Sequence, residues 1–249
     1  MKNICFILFA LINTLAVNAQ SFVTEAKIEY EKTVNTKKLM AKSNMPDAFK
    51  DGMPEFTKTY YDLLYKDNQS VYQKGRDPEL KSNPVFFGMP ADDRKIYNNY
   101  QAGTVTHKKS VAWEDYFVQD SMYKIKWKIT MDTRTIAGYE CRRATAVVFD
   151  SVFVVAFYTD EITGNGGPES FGGLPGMILG LVIPRIHTTW YATTVRKALI
   201  KDEVVDAPKP GKKTKLYTYP QLVEKVRDRT KSWTWEAENN HKYIWNVLW

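Results

Sequence analysis

The hydrophobic and polar positions of this chain fall into short runs of period two, the rhythm of strands, with few helical repeats. Ala26, Ile28 and Tyr30 alternate with Lys27, Glu29 and Glu31, which predicts a strand with one face in a core and one in water. Residues 56–65 and 70–74 flank Lys66-Asp67-Asn68-Gln69, whose turn-forming side chains predict a β-hairpin. Strand composition returns at 95–100, 103–108 and 111–118. The clearest alternation follows, with Tyr123, Ile125, Trp127, Ile129 and Met131 on one face and Lys124, Lys126, Lys128 and Thr130 on the other. It predicts a buried face backed by a lysine ladder turned to water or an acidic partner. Residues 139–149 and 152–158, joined at Asp150-Ser151, predict a tight hairpin. Residues 152–158 and 177–183 are unbroken apolar runs, as expected of strands buried on both faces, and a threonine-rich strand follows within 187–200.

Strand follows strand through short turns with almost no helical crossover, which predicts a mainly β fold: an antiparallel meander. A long meander must curl or close to hide its edges, so a curved sheet, a partial barrel, is expected. Residues 39–54, with Met40, Met45, Met53, Pro46 and Pro54, break the rhythm and predict a short helical insertion near 47–50. The methionines are read as gap-fillers, since no histidine stands near them to complete a soft-metal site. After a polar linker at 206–213, residues 220–238 carry helix grammar: Thr218 near the start, early Pro220, and Leu222, Val226 and Trp233 at roughly helical spacing. An aromatic tail with Trp235, Tyr243, Trp245 and Trp249 ends the sequence. The expected organisation is a leader at 1–19, a β domain at 20–205, and a basic linker, helix and tryptophan-rich tail at 206–249 packed on that domain.

Between the two apolar runs lies Gly164–Pro184, reading GNGGPESFGGLPGMILGLVIP. Leu174 precedes proline and is pushed to an extended conformation, Pro175 presets a turn, and Gly176 supplies the positive φ of a type II turn. Gly167-Pro168-Glu169 reads as a short helical turn entered through proline. The loop is expected to lie across one end of the sheet and either to lock the sheet or to present a surface; if it presents a surface, Glu169, Ser170 and Phe171 point outward, with Phe171 as the apolar anchor of a contact.

Gly173-Leu174-Pro175-Gly176-Met177-Ile178, preceded by Gly167-Pro168-Glu169-Ser170-Phe171-Gly172, resembles the signature of the GLPGLI family, exported proteins of Bacteroidetes with no established activity. Met177 stands where the family name has leucine, a volume-conserving change. Residues 156–162 and 136–144 widen the resemblance. It implies an exported protein, and, because members are often encoded near outer-membrane TonB-dependent receptors, an accessory role beside such a receptor.

Residues 1–19 have the three parts of a secretory signal: Lys2, an apolar stretch from Ile4 to Val17, and Val17-Asn18-Ala19 as a cleavage site before Gln20. A periplasmic or extracellular location is expected. No later apolar run reaches the roughly 18–20 residues that a spanning helix needs. The net charge of +7 is moderate and suits solubility, or peripheral contact with an anionic membrane surface; export sets nucleic acid aside. Without the leader, Cys141 is the one remaining cysteine, so no internal disulfide is expected; sharing a strand face with Tyr139 and Arg143, it reads as a buried structural thiol.

Catalytic chemistry finds little to use. The histidines His107, His187 and His241 sit in no recognised motif, there is no Gly-x-Ser-x-Gly elbow, and the glycine-rich loop lacks both the dinucleotide and the P-loop patterns. No local cluster supplies zinc ligands, so neither metal nor cofactor is expected. Asp92-Asp93, Glu114-Asp115 and Asp160-Glu161 are adjacent carboxylates, which point to opposite faces of a strand. Asp160 and Glu161 stay as candidate site residues because they border the loop, with Cys141 as a candidate thiol. The loop residues Gly167, Pro168, Glu169, Phe171, Gly173, Leu174, Pro175 and Gly176 are the candidate structural or binding element. The reading is a non-enzymatic binding or accessory protein of the cell envelope whose partner is an envelope protein or an apolar ligand; the alternative is a dispersed-site enzyme, a hydrolase or a thiol enzyme using Cys141.

Overall fold

The computed structural model describes residues 23–41, 46–78, 94–111, 114–149, 151–197, 200–201, 205–211 and 214–230. The expected leader at 1–19, Met45, most of the 75–93 loop with Asp92-Asp93, and the tryptophan-rich tail with His241 lie outside these residues.

The fold is mainly β. Strands β1 (Ala26–Asn35), β2 (Phe56–Lys66), β3 (Gln69–Lys74), β4 (Lys95–Asn99), β5 (Thr104–Val111) and β6 (Glu114–Ser121) form one meander. A second comprises β7 (Lys128–Ile136), β8 (Tyr139–Val148), β9 (Val152–Thr159), β10 (Met177–Ile183) and β11 (Thr188–Lys197). Antiparallel pairing of β1 with β11 fuses them into a 12-stranded sheet ordered β12-β6-β5-β4-β3-β2-β1-β11-β10-β9-β8-β7, where β12 (Leu216–Tyr217) adds parallel to β6. The sheet does not close: β7 and β12 are its edges. It curls so that side chains from both meanders share one main core, among them Ile28, Tyr61, Val118, Val154, Leu181 and Trp190.

Local chemistry explains the elements. Asp67 and Asn68 take left-handed φ values of 48° and 59°, the two-residue turn whose twist matches the flanking strands β2 and β3. Asn35 caps the short helix Thr36–Met40 by accepting from the Lys38 amide at 2.9 Å, and a second short helix, Asp47–Asp51, stands where the insertion was expected. The helix Tyr219–Thr230 is entered through Thr218, whose amide donates to Gln221 Oε1 at 2.9 Å, and Leu222 and Val226 deliver its apolar stripe to the core.

Several strand expectations need correction. Strand β10 is buried on both faces, but β9 is not: Phe153 is 46% exposed, and Val155 and Phe157 are half-buried. The strong alternation at 123–131 does not make one half-buried strand. Ile125 and Trp127 pack on the core, yet the strand begins only at Lys128, and Met131 is 91% exposed. Strand β7 is the sheet edge and slips register between Ile129 and Thr133, so its outer positions have no neighbouring layer. On β8 the alternation breaks at Arg142 and Arg143, leaving Cys141 and Ala144 both buried.

Candidate functional site

The β9–β10 connection is folded down onto the sheet. The Ile178 amide donates to the Gly166 carbonyl at 2.8 Å and the Gly173 amide to the Asn165 carbonyl at 2.8 Å, which closes the loop on itself. Tyr30 Oη donates to the Ile178 carbonyl at 2.6 Å, and Trp127 Nε1 to the Gly172 carbonyl at 2.9 Å. Close approach requires several of the loop glycines, among them Gly166, where a Cβ would collide with the Tyr100 hydroxyl, and Gly176, where it would collide with the Thr159 carbonyl oxygen. Gly176 does have positive φ, 148°, but the expected type II turn is absent. Its amide donates to the Leu174 carbonyl at 2.8 Å, a three-residue turn about Pro175.

The loop locks onto the sheet, and the outward placement fails for Glu169 and Phe171, while Ser170 is half-buried. The Phe171 amide donates to the Pro168 carbonyl at 3.2 Å, and Glu169 takes a left-handed φ of 57°, so Pro168–Phe171 is a turn and not a helical one. That geometry sends Glu169 and Phe171 inward, 1% and 3% exposed. Pro168, Leu174 and Gly176 are buried with them, and only Gly173 and Pro175 of the candidate loop residues are exposed.

Glu169 meets charge that the strands have carried into the interior. Arg94 Nη1 lies 2.6 Å from Glu169 Oε1 and Lys32 Nζ lies 4.0 Å from the same oxygen. Lys32 continues the inward phase of Ala26, Ile28 and Tyr30 and sits opposite Trp190 in the β1–β11 register, with its ammonium 5.2 Å from that ring. Asn98 Nδ2 donates to Ser70 Oγ and to the Glu169 carbonyl, both at 3.2 Å. His107, one strand on, is pulled down to about 3 by burial first and then by the charges of Lys109 and Arg94. Burial likewise pushes Tyr100 up to about 12 and raises Tyr219. Four buried atoms here, Asn98 Oδ1, His107 Nε2, Glu169 Oε2 and Trp190 Nε1, have no hydrogen-bond partner among the described residues. The cluster anchors the loop from below; the sequence reading passed over Lys32 and Asn98 and found no motif for His107, although each falls on the inward phase of its strand.

The remaining candidates stay apart. Cys141 is fully buried, and burial, helped by the charges of Glu161 and Glu140, pushes its thiol up to about 12. Asp160 and Glu161 are exposed at the end of β9. Among the described residues, no group of three or more His, Cys, Asp and Glu is placed to hold a metal ion, and no helix is long and apolar enough to cross a membrane. A groove of about 480 Å³ is lined by the loop residues Thr163, Gly164, Asn165, Pro175 and Gly176 together with Asp67 and Asn68 of the β2–β3 hairpin tip, Thr24 and Tyr65. The meeting of hairpin tip and loop is a tertiary fact that no local pattern announces.

Comparison with known proteins bears on this architecture. No curated protein matches the chain. Among solved structures, PNGF-II in the P21 space group is 15% identical with a TM-score of 0.52, over 81% of this chain and 32% of its own. PNGF-II in the C2 space group is also 15% identical, with a TM-score of 0.49 over 90% of this chain and 33% of its own. An uncharacterized conserved protein from Thermus thermophilus is 4% identical with a TM-score of 0.40, over 84% of this chain and 99% of its own. The chain thus spans about a third of the length of the PNGF-II structures, and its likeness to the first of these is one of fold. The family model described as the N-glycanase peptide, N-terminal domain, matches residues 84–220, more than half of the chain and the whole of the loop. By that match, the chain belongs to the N-glycanase peptide N-terminal domain family.

Proposed function

We propose that this chain is an exported, non-enzymatic recognition module of the cell envelope that binds N-linked glycan chains on peptides. The observation that carries the reading is the groove between the loop wall and Asp67–Asn68. Its walls offer carboxylate, amide and hydroxyl groups on a rigid frame, which suits a ligand dense in hydroxyls. The family description names an N-glycanase, and the chain corresponds to about a third of PNGF-II, which supports a module that recognises ligand beside an activity held elsewhere. The buried thiol of Cys141, raised to about 12, supports binding over thiol catalysis.

The sequence resemblance to GLPGLI proteins belongs to the same proposal, with an outer-membrane TonB-dependent receptor as the envelope partner. Export is tested by intact mass from the envelope fraction: cleavage after Ala19 is expected, and a cytoplasmic species retaining Met1–Ala19 refutes it. Recognition is tested by calorimetric titration with an N-glycopeptide and with the same peptide after deglycosylation. Binding of the first alone is expected, weakened at least tenfold in Asp67→Ala/Asn68→Ala. Equal binding of both peptides, or of neither, sinks the reading.

A further inference from the structure

The groove has a charge pattern of its own. Among the described residues that line it, Asp67 alone is charged. The chain carries 35 Lys and Arg against 28 Asp and Glu, so basic side chains were plentiful, yet none is among those lining residues. Asp67 is exposed at the hairpin tip and has no ion-pair partner among the described residues. The cation next to it in sequence is engaged elsewhere: Lys66 Nζ donates to the Ile200 carbonyl at 2.9 Å and lies 3.9 Å from Glu25. Burial raises the Tyr65 hydroxyl, the Asn68 backbone amide draws it back, and the Asp67 charge raises it again, so that carboxylate stands within electrostatic reach of a groove-lining group. Negative charge continues past Gly176, where an added Cβ would stand 3.0 Å from the Asp160 Cα. Asp160 and Glu161 are exposed and likewise without ion-pair partners among the described residues.

Asn68 is fixed beside Asp67. Its φ is 59°, its carbonyl accepts the Tyr100 amide at 2.9 Å, and its Oδ1 accepts from Tyr65 Oη at 3.2 Å. With Oδ1 taken, Nδ2 is the part of the amide left for a ligand. Tyr65 in turn is pinned by the loop, since a Cβ at Gly164 would fall 2.5 Å from its ring. Turn chemistry alone accounts for the residue types, because Asp and Asn tolerate the left-handed conformation. It leaves open why the tip lines a groove whose other lining residues are all neutral. Unpaired acids occur elsewhere, Glu55 and Glu140 among them, so it is the place of Asp67 in the groove that carries weight. A fixed donor next to a carboxylate matches a sugar hydroxyl, which donates and accepts at once. A carboxylate or sulfate on the ligand only accepts, and meets Asp67 as a like charge.

We propose, on the glycan reading of the groove, that it selects uncharged glycan chains and rejects acidic ones, with Asp67 as the specificity-determining residue. The test is calorimetric titration of the full chain with a neutral N-glycopeptide and with the same glycopeptide after oxidation of its primary alcohols to carboxylates, at low and high salt. Wild type should bind the neutral form at least about tenfold tighter at low salt, with a narrower gap at high salt. Asp67→Asn keeps an acceptor, loses the charge and suits the same turn, so it should narrow the low-salt gap to below about threefold. Equal binding of the two forms by wild type overturns the proposal, as does tighter binding of the oxidised form. A gap that Asp67→Asn or salt leaves unchanged overturns it too. All of these results leave the glycan reading standing, whereas binding of neither form sinks that reading and the selectivity with it.

Discussion

His107 makes the buried polar cluster measurable in solution. The imidazole lies on the inward face of β5 between Ile96 and Val118 in the strand register, 2% exposed, with its ring centroid 5.9 Å from that of Tyr219. Burial, the Lys109 charge and the Arg94 charge all oppose protonation and bring it to about 3 from an ordinary value of 6.5. The unfolded chain therefore binds a proton near pH 6.5 that the folded chain refuses until about pH 3. Stability is fully present above 6.5 and falls as pH drops through that window. The linkage relation gives a loss of about 2 kcal/mol at pH 5 and about 3 kcal/mol at pH 4, both relative to pH 8. Carboxylates whose values are lowered by partners, such as Glu31 through Lys58 and Tyr60, lose their stabilisation only at lower pH, below about 4.5. The interval from pH 7.5 to 5 thus sets these carboxylates aside, and comparison with a His107 variant separates this histidine from His187 and His241.

Urea unfolding at pH 7.5, 6.5, 5.5 and 5.0 reads this out. Wild type should lose about 2 kcal/mol over the range, and His107→Gln, which cannot titrate, should hold its stability nearly level whatever its starting value. Parallel curves for the two proteins would refute the placement of His107, as would an imidazole titrating near 6.5 by NMR in the folded chain.

Gly176→Val should destabilise by more than about 3 kcal/mol, since it adds strain at positive φ to a collision with the Thr159 backbone; an unchanged thermal midpoint would remove both reasons. Glu169→Ala removes the 2.6 Å partner of a buried guanidinium and should cost about 3–5 kcal/mol, whereas an unaltered midpoint would mean the loop is not anchored there. Phe171→Ala should act as a core deletion of about 3–5 kcal/mol; native stability with lost partner capture would restore it as a contact residue. Cys141 should react with a thiol reagent slowly in the native protein and quickly in denaturant, and fast native labelling would revive a thiol enzyme.

Where the sequence was legible, one local rule sufficed. The Ala26-Ile28-Tyr30 alternation is β1, Asp67-Asn68 is the left-handed turn, and Thr218 with Leu222 and Val226 is a capped helix packed on the core. The failures share a cause: period two says which residues share a face, never whether another layer covers it. At 123–131 a strong alternation runs from an irregular segment into the edge strand β7, where Ile129 and Met131 stay in solvent. In the loop, the turn at Glu169 depends on what lies beneath, and what lies beneath is Arg94 and Lys32, brought from distant strands.

The same parity, followed through the polar residues, leads to that cluster. Lys32 keeps phase with Tyr30, Asn98 with Ile96, and His107 with Val105, so three polar residues fall on inward faces. A buried cation requires a counter-charge, and Glu169 is a carboxylate in the loop between the two most apolar runs. Polar residues that hold the inward phase of a strand are therefore the informative exceptions in this sequence. They mark where the loop had to descend.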